Sequence, residues 1–258
     1  MTELTVQVVN YDTAEYLRPC LGSLLDALTQ TPVAARIAVL DNASGDDLAP
    51  LAAEFPGVGF VRSERNLGFG GGHNRLAADG TSPLLCFVNP DVVCDQRDVL
   101  ARLLAALEDP AVAVAGPLLR TPDGSPQRFD HGELRGLRAR VANGAGHAHW
   151  RPRAEPCDVA WVSGAFLLVR RAAFDAVGGF DEGFFLYKEE EDLCLRVRAT
   201  GARVRYVPTA EARHVGSVVA GRDPALLAAS DARFAGKHLS PGWRRAYGLL
   251  YRHVTRRL

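Results

Sequence analysis

The sequence carries no surplus of charge: thirty Lys and Arg balance thirty Asp and Glu over 258 residues. A polyanion-binding protein needs a basic excess, so nucleic acid is not an expected partner of the chain as a whole. There is no Cys-x-x-Cys pair. The five cysteines (Cys20, Cys86, Cys94, Cys157, Cys194) are odd in number and scattered, and read as reduced thiols. No apolar run approaches the ~18 residues of a membrane span, and no charged leader with an apolar core opens the chain. A soluble, cytosolic protein is the expectation. Internal repeats and low-complexity tracts are also missing. A glycine run is present at 66–74 (NLGFGGGHN), but it lacks the last glycine of G-x-G-x-x-G, where His73 stands, and it lacks a P-loop lysine. Backbone of this kind lets a phosphate or ribose approach closely, or is simply a flexible loop.

What is present suits one sizeable α/β domain with a small appendage. The chain is 47% hydrophobic and 23% charged, enough to bury a core. Short apolar runs at 4–9, 36–40, 58–61, 84–88 and 112–115 alternate with helical patterns at 14–28, 71–78 and 97–107. This period predicts βαβ units and a mostly parallel sheet. Residues 121–153 lose all periodicity and read as a long excursion. Regular structure resumes at 159–169, broken at Ser163-Gly164-Ala165. A short helix at 171–177, an acidic helix at 189–200, a strand at 203–207 with a turn at Pro208, and two terminal helices at 224–239 and 243–254 follow. Charge is uneven at the end: residues 232–258 hold seven Lys/Arg and no Asp or Glu, leaving the remainder net acidic by seven.

Ligands of such sheets gather at the carboxyl ends of the strands, so polar residues there are the candidates. Asn89-Pro90-Asp91 ends the strongest strand, where an oxygen ligand suits a hard divalent cation bridging a diphosphate, or a solvated turn. Asp41-Asn42-Ala43-Ser44 ends another, with groups that can bond a base and a ribose, or form an Asx-turn before a helix. Glu189-Glu190-Glu191-Asp192 crowds four carboxylates together. Their repulsion raises at least one pKa, which suits a general base; an acidic helix start explains the same run. His214 is a fair further metal ligand beside a carboxylate, and a lone histidine is also often structural.

Taken in order, these runs resemble the family-2 inverting glycosyltransferases with a GT-A fold, and within them the bacterial rhamnosyltransferases of cell-wall and O-antigen synthesis. The matching segments are VVNYDTAEYLRPCLGSLL, VLDNASGD, NLGFGGGHNRL, FVNPDVV, GRDP and the long run from Trp161 to Gly216, covering residues 6–224. The resemblance implies an α/β GT-A domain over 1–222, with a nucleotide-binding half at 1–118 and a catalytic half at 119–222. A basic helical extension over 223–258 follows. It assigns Asn10, Tyr11, Asp41, Asn42, Ser44, Asn66, Gly68, Asn74, Asn89 and Asp91 to the nucleotide sugar. Trp161, Ser163, Gly164 and Tyr187 fall to the acceptor. Asp91 and His214 would hold Mg²⁺ or Mn²⁺, with Glu190 as base beside Glu189 and Asp192.

Two departures from the family pattern stand out. Glu190 occupies the base position where Asp is usual, and the late Gly-x-Ser-Thr and His/Arg features are replaced by Gly216-Ser217-Val218-Val219 and Ser230-Asp231. Arg222 or Arg233 is the candidate replacement for that pair. The implied reaction is metal-dependent, inverting transfer from a dTDP- or UDP-sugar, with dTDP-rhamnose the first choice. The acceptor hydroxyl belongs to a glycan, a polyprenyl-linked sugar or a small molecule. The basic, aromatic tail reads either as a contact with an anionic membrane on its cytoplasmic face or as a helix packed on the domain. A sugar-nucleotide-binding protein without activity is the alternative from another class.

Overall fold

Apolar runs buried on both faces become the strands of the centre. Leu4–Asn10 (β1) is buried at every position but Val9, and pairs in parallel with Ala35–Asp41 (β2) and Leu84–Val88 (β4). Val58–Arg62 (β3) adds to β2, also in parallel. The computed structural model describes residues 3–133, 150–216 and 224–238. Helix Ala14–Leu28 (α1) returns between β1 and β2 as its spacing demands, burying Leu17, Cys20, Leu21, Leu24 and Ala27. Its free N-terminal amides are met from a distance: Asp46 Oδ2 accepts from the N–H groups of Thr13 (2.9 Å) and Ala14 (3.0 Å) and from Asn10 Nδ2 (2.9 Å). Ala49–Glu54 (α2) links β2 to β3.

The next helix starts earlier than its periodicity suggests. Gly68–Ala78 (α3) takes in the glycine run itself rather than beginning at residue 71. The reason is close packing. A Cβ on Gly68, whose φ is +72°, would sit 2.2 Å from the Phe185 carbonyl oxygen, and one on Gly70 would sit 2.8 Å from Phe180 Cβ.

Beyond β4 the chain lays down Val92–Val93 (β5), Val99–Ala106 (α4), Val112–Arg120 (β6) and His131–Gly132 (β7). Cys157–Val159 (β8), Trp161–Val162 (β9), Phe166–Arg170 (β10), Arg171–Ala176 (α5) and Glu189–Ala199 (α6) follow. The last elements are Arg203–His214 (β11) and Pro224–His238 (α7). Among the described residues the main sheet has nine strands in the order β3-β2-β1-β4-β10-β6-β11-β5, with β8 also on β11. β10 runs antiparallel to β4 and β6, while β11 is parallel to β6. Two apolar layers cover its faces, one around α1 and α4 and one around Phe87, Phe174, Phe180 and α6.

Three expectations are corrected. β6 runs on to Arg120 rather than ending at residue 115. Pro208 makes no turn: β11 continues through it, and a register irregularity between Val207 and Glu211 absorbs the missing N–H. His214 is therefore the last residue of the strand that begins at Arg203. The excursion after residue 120 is also partly ordered, because β7 pairs with β9. Its two described ends are clasped by the Glu133–Arg153 ion pair and by Trp150 Nε1 donating to Asp130 (2.8 Å). Residues 134–149, and the expected helix at 243–254 with most of the basic tail, lie outside the described residues. No helix among the described residues is long and apolar enough to cross a membrane.

The topology sets the place of the site. The carboxyl ends of β1, β2 and β4 point to one edge. Because β10 is antiparallel to β4, with Phe166 opposite Val88, the turn before β10 arrives at that same edge.

Candidate active site

A cavity of about 480 Å³ opens at this edge. One side is built by Asn89-Pro90-Asp91 and the end of β11. Pairing of β5 with β11 sets His214 opposite Val92 and so brings it beside Asp91. Asp91 is 4% exposed; its Oδ2 accepts from the Gly216 N–H (2.8 Å), and its Oδ1 lies 3.3 Å from His214 Nε2. Burial acts to raise the Asp91 pKa, but the His214 hydrogen bond and charge and the Gly216 N–H outweigh it and hold the carboxyl below its ordinary value.

Gln127 Oε1 lies 2.9 Å from His214 Nδ1, which places the proton on Nδ1, and Asn89 Nδ2 donates toward Nε2 (3.3 Å). Nε2 and Asp91 Oδ1 face each other at 3.3 Å, a contact that a proton on Nε2, or a cation in its place, would bridge. Their separation is also near the ~3 Å between neighbouring ligands of an octahedral Mg²⁺ with ~2.1 Å bonds. No group of three His, Cys, Asp or Glu side chains gathers as a metal site among the described residues. A cation at Asp91 and His214 would complete its shell with diphosphate oxygens and water, as Mg²⁺ ordinarily does.

The second side is the start of α6. Tyr187 and Lys188, both with φ of +72°, form a left-handed step directly before it. Two non-glycine residues in that region cost on the order of 1–3 kcal/mol each and persist only where the surroundings hold them. Beyond the step Glu189 and Glu190 line the cavity. Glu189 is 3% exposed and its Oε2 has no hydrogen-bond partner; burial first, then the Glu190 charge, pushes its pKa well above the usual carboxylate range. Glu190 is half-buried, and burial together with the Glu191 charge pushes it up to about 7. The Ser163–Gly164–Ala165 turn joins the two sides. The Ala165 carbonyl accepts from the Asn89 N–H (2.9 Å), and a Cβ on Gly164 would lie 3.3 Å from Glu190 Cβ.

The third side is the glycine-rich start of α3 with the loop after β2. Asn42 Nδ2 donates to Asn66 Oδ1 (2.9 Å) and to the Gly68 carbonyl (3.0 Å), and its Oδ1 accepts from the Leu67 N–H (2.9 Å). Tyr11, Asn42, Asn66 and Gly68 all line the cavity.

Twelve residues singled out in the sequence thus meet in one cavity: Tyr11, Asn42, Asn66, Gly68, Asn89, Asp91, Ser163, Gly164, Tyr187, Glu189, Glu190 and His214. Six do not line it. Asn10 is fully buried and bonds Ser44 Oγ and Asp46, bracing the loop that caps α1. Asp41 accepts from Arg62 Nη1 (2.5 Å) and from the Ser44 N–H (3.0 Å) beside a separate hollow of about 300 Å³ that also takes in Asp46 and Asp47. Asn74 is spent on the Phe180 backbone, donating to its carbonyl and accepting from its N–H (2.9 Å each). Trp161 is buried against Gly132. Asp192 is fully buried among Arg196, Lys237 and His238, each at 2.7 Å.

Of the arginines considered as replacements for the missing pair, Arg233 bonds Asp181 (2.7 Å) and lies over the Phe184 ring, away from the cavity. Arg222 lies outside the described residues. Sequence reasoning passed over Gln127, Phe69, Phe185 and Leu226, which line the cavity, and Arg62. Arg62 ends a strand and satisfied the same rule that singled out Asp41. Gln127 sits in the aperiodic stretch and gave no signal.

Comparison with known proteins agrees with this geometry. Residues 5–178 match the domain described as glycosyl transferase family 2. An N-acetylglucosaminyl-diphospho-decaprenol L-rhamnosyltransferase of Mycobacterium tuberculosis is 36% identical over 94% of this chain and 87% of its own. Among solved structures, GalNAc-T7 with UDP, GalNAc and Mn²⁺ superposes with a TM-score of 0.64 at 16% identity, over 83% of this chain. The mannosyltransferase PcManGT of Pyrobaculum calidifontis, solved with GDP-Man and Mn²⁺, gives 0.63 at 17% identity over 92% of it. This chain spans 44% and 62% of those two, so they speak for the fold, which is GT-A. The chain belongs to glycosyl transferase family 2 and is a nucleotide-sugar-dependent glycosyltransferase.

Proposed function

We propose that the protein transfers rhamnose from dTDP-rhamnose to a hydroxyl of a polyprenyl-diphosphate-linked sugar, with inversion at the anomeric carbon. The observation that carries this reading is the pairing, in one cavity, of a carboxylate with a pKa near neutrality and an Asp–His pair suited to a cation. The rhamnose and the lipid-linked acceptor are supported by the mycobacterial relative, whose name specifies both.

Glu190 takes the proton of the acceptor hydroxyl as its oxygen attacks the anomeric carbon. A base with a pKa near the working pH is deprotonated often enough and still holds the proton it receives. Asp91 and His214 would hold Mg²⁺ or Mn²⁺, which would supply positive charge beside the departing diphosphate. Asn42, Asn66 and Gly68 present donors and backbone along the nucleotide side. Ser163, Gly164 and Tyr187 stand on the acceptor side. With a lipid-borne acceptor, the protein works at the cytoplasmic face of the membrane, where the arginines that follow residue 238 meet anionic lipid.

Incubation with dTDP-, UDP- and GDP-sugars and a short polyprenyl-diphosphate N-acetylglucosamine tests the reading. A product from dTDP-rhamnose, with inverted configuration by proton NMR, is expected. Transfer from a different donor would overturn the sugar. Nucleotide binding with neither transfer nor donor hydrolysis would favour a non-catalytic binding protein.

The contact between Gly164 and Glu190 gives a separate prediction. A methyl at Gly164 meets Phe69 Cζ at 3.1 Å and Glu190 Cβ at 3.3 Å, tight enough to push the base aside. Gly164→Ala is expected to lower kcat on the order of tenfold, ~1.4 kcal/mol of barrier, with a thermal midpoint within a few degrees of wild type. Unchanged turnover would mean that the base does not depend on this contact.

A further inference from the structure

Among thirty basic residues the chain has only two lysines, Lys188 and Lys237, and both pair with the acidic start of α6. Lys188 is the second residue of the left-handed step that precedes Glu189 and Glu190. Its side chain leaves the cavity and runs toward α7. Nζ lies 2.8 Å from Glu191 Oε1, 3.8 Å from Asp231 Oδ1 and 5.7 Å from the centre of the Phe234 ring. Two further contacts bind the same segment to α7. Ser230 Oγ donates to the Leu186 carbonyl (2.7 Å), and Asp192 Oδ1 meets Lys237 and His238. The segment 186–192 is thus pinned to α7 before, at and after the left-handed step, and Glu190 lies between the pinned points.

Helical geometry then sorts the four carboxylates. At ~100° per residue, four consecutive side chains spread around most of the helix. Glu189 and Glu190 fall on the cavity, while Glu191 and Asp192 turn to other partners. We propose that Lys188 is a positioning residue for Glu190: held between Glu191 and Asp231, it fixes the left-handed step that aims the base into the cavity and offsets the Glu191 charge beside it.

Glu191 is one residue from Glu190, and its charge, after burial, is the main cause of the raised Glu190 value, while Lys188 acts in the opposite direction. Lys188 itself stays protonated: burial works against its charge, but Glu191 outweighs that and raises its pKa. The other charged or titratable groups around Glu190 are Glu189 and Cys194 on its own helix, Asp91 and His214 across the cavity, and Asp231, Arg233, Lys237 and His238 on α7. Exchanging Lys188 for Met, an unbranched side chain of similar length, leaves these side chains unchanged in identity but removes the cation and with it the ion pairs to Glu191 and Asp231 that hold the step.

The inference rests on Glu190 being the base, so the test separates the two. Donor KM and the pH dependence of kcat are measured for Lys188→Met, Lys188→Arg, Glu191→Gln and the Lys188→Met/Glu191→Gln pair. A base must lose its proton to act, so removing a nearby cation moves the acid limb of kcat to higher pH. In Lys188→Met the limb is expected to move up by about one pH unit, so that kcat falls roughly tenfold on its acid side and recovers above it, with donor KM unchanged. Glu191→Gln should move the limb the other way and provides an independent reading should Lys188→Met fail to fold. The double variant should return close to wild type, and Lys188→Arg should keep the wild-type limb. A limb that stays in place in both single variants, or a Lys188→Arg variant as impaired as Lys188→Met, would overturn the proposal. If Glu190→Gln is inactive and these limbs do not move, Lys188 loses its role and the base keeps its own; if Glu190→Gln is active, the base assignment fails first.

Discussion

Replacing Glu190 by Gln is expected to abolish transfer, with kcat down by at least about a hundredfold, while the nucleoside diphosphate still binds. The amide keeps the shape of the side chain and removes only its capacity to take a proton. Single-turnover assays and calorimetry with dTDP would check the two halves separately. In the wild type the same residue sets the pH profile. Burial and Glu191 bring Glu190 to about 7, so the active, ionised form is a minority below neutrality and dominates above it. The acid limb of kcat is therefore expected near pH 7 rather than at the ordinary carboxylate value near 4. A limb near 4, or a Glu190→Gln variant with most of its turnover, would remove Glu190 from the chemistry.

Asp91→Ala is expected to lose the metal dependence of nucleoside diphosphate binding. In the wild type, adding Mn²⁺ should tighten dTDP binding; in the variant the two titrations should coincide, a loss of at least about tenfold, ~1.4 kcal/mol. Removing Asp91 also leaves the Gly216 N–H without its carboxylate and His214 Nε2 without the oxygen it faces. His214→Ala should show a smaller effect of the same kind, because Asp91 supplies the charge. Metal-dependent binding that survives in Asp91→Ala would move the cation elsewhere and leave the Asp–His contact as a structural ion pair.

Much of the scaffold was legible because it depends on local pattern. The helix at 14–28 and the strand at 84–88 stand where their spacing put them. Alternation of strand and helix implied a mostly parallel sheet, which the run β3-β2-β1-β4 provides, and the rule that ligands sit at carboxyl ends picked out Asn42, Asn89 and Asp91. The glycine run was harder, since glycine ordinarily weakens a helix. Here the absence of side chains lets α3 approach Phe180 and Phe185, a gain that periodicity does not register. Pro208 misled in the same way: it is a turn former in isolation, and only pairing with β6 across an irregular register keeps it in a strand.

The sequence by itself determined the kind of chemistry: which carboxylates, which histidine and which strand ends are available, and in what order, because residue identity and backbone periodicity are local. Tertiary structure decided which of them work together. Asp41 and Asn42 are adjacent in sequence, yet one is committed to Arg62 and the other opens on the cavity. Four consecutive carboxylates divide into two that line the cavity and two that turn elsewhere, one of them clasped by α7, because a helix rotates each residue to a different neighbour. His214 and Asp91 lie more than a hundred residues apart and meet only because β5 pairs with the far end of β11. Distance through the fold sets charge, burial and hydrogen bonding, and these raise the pKa of Glu190 within the acidic run.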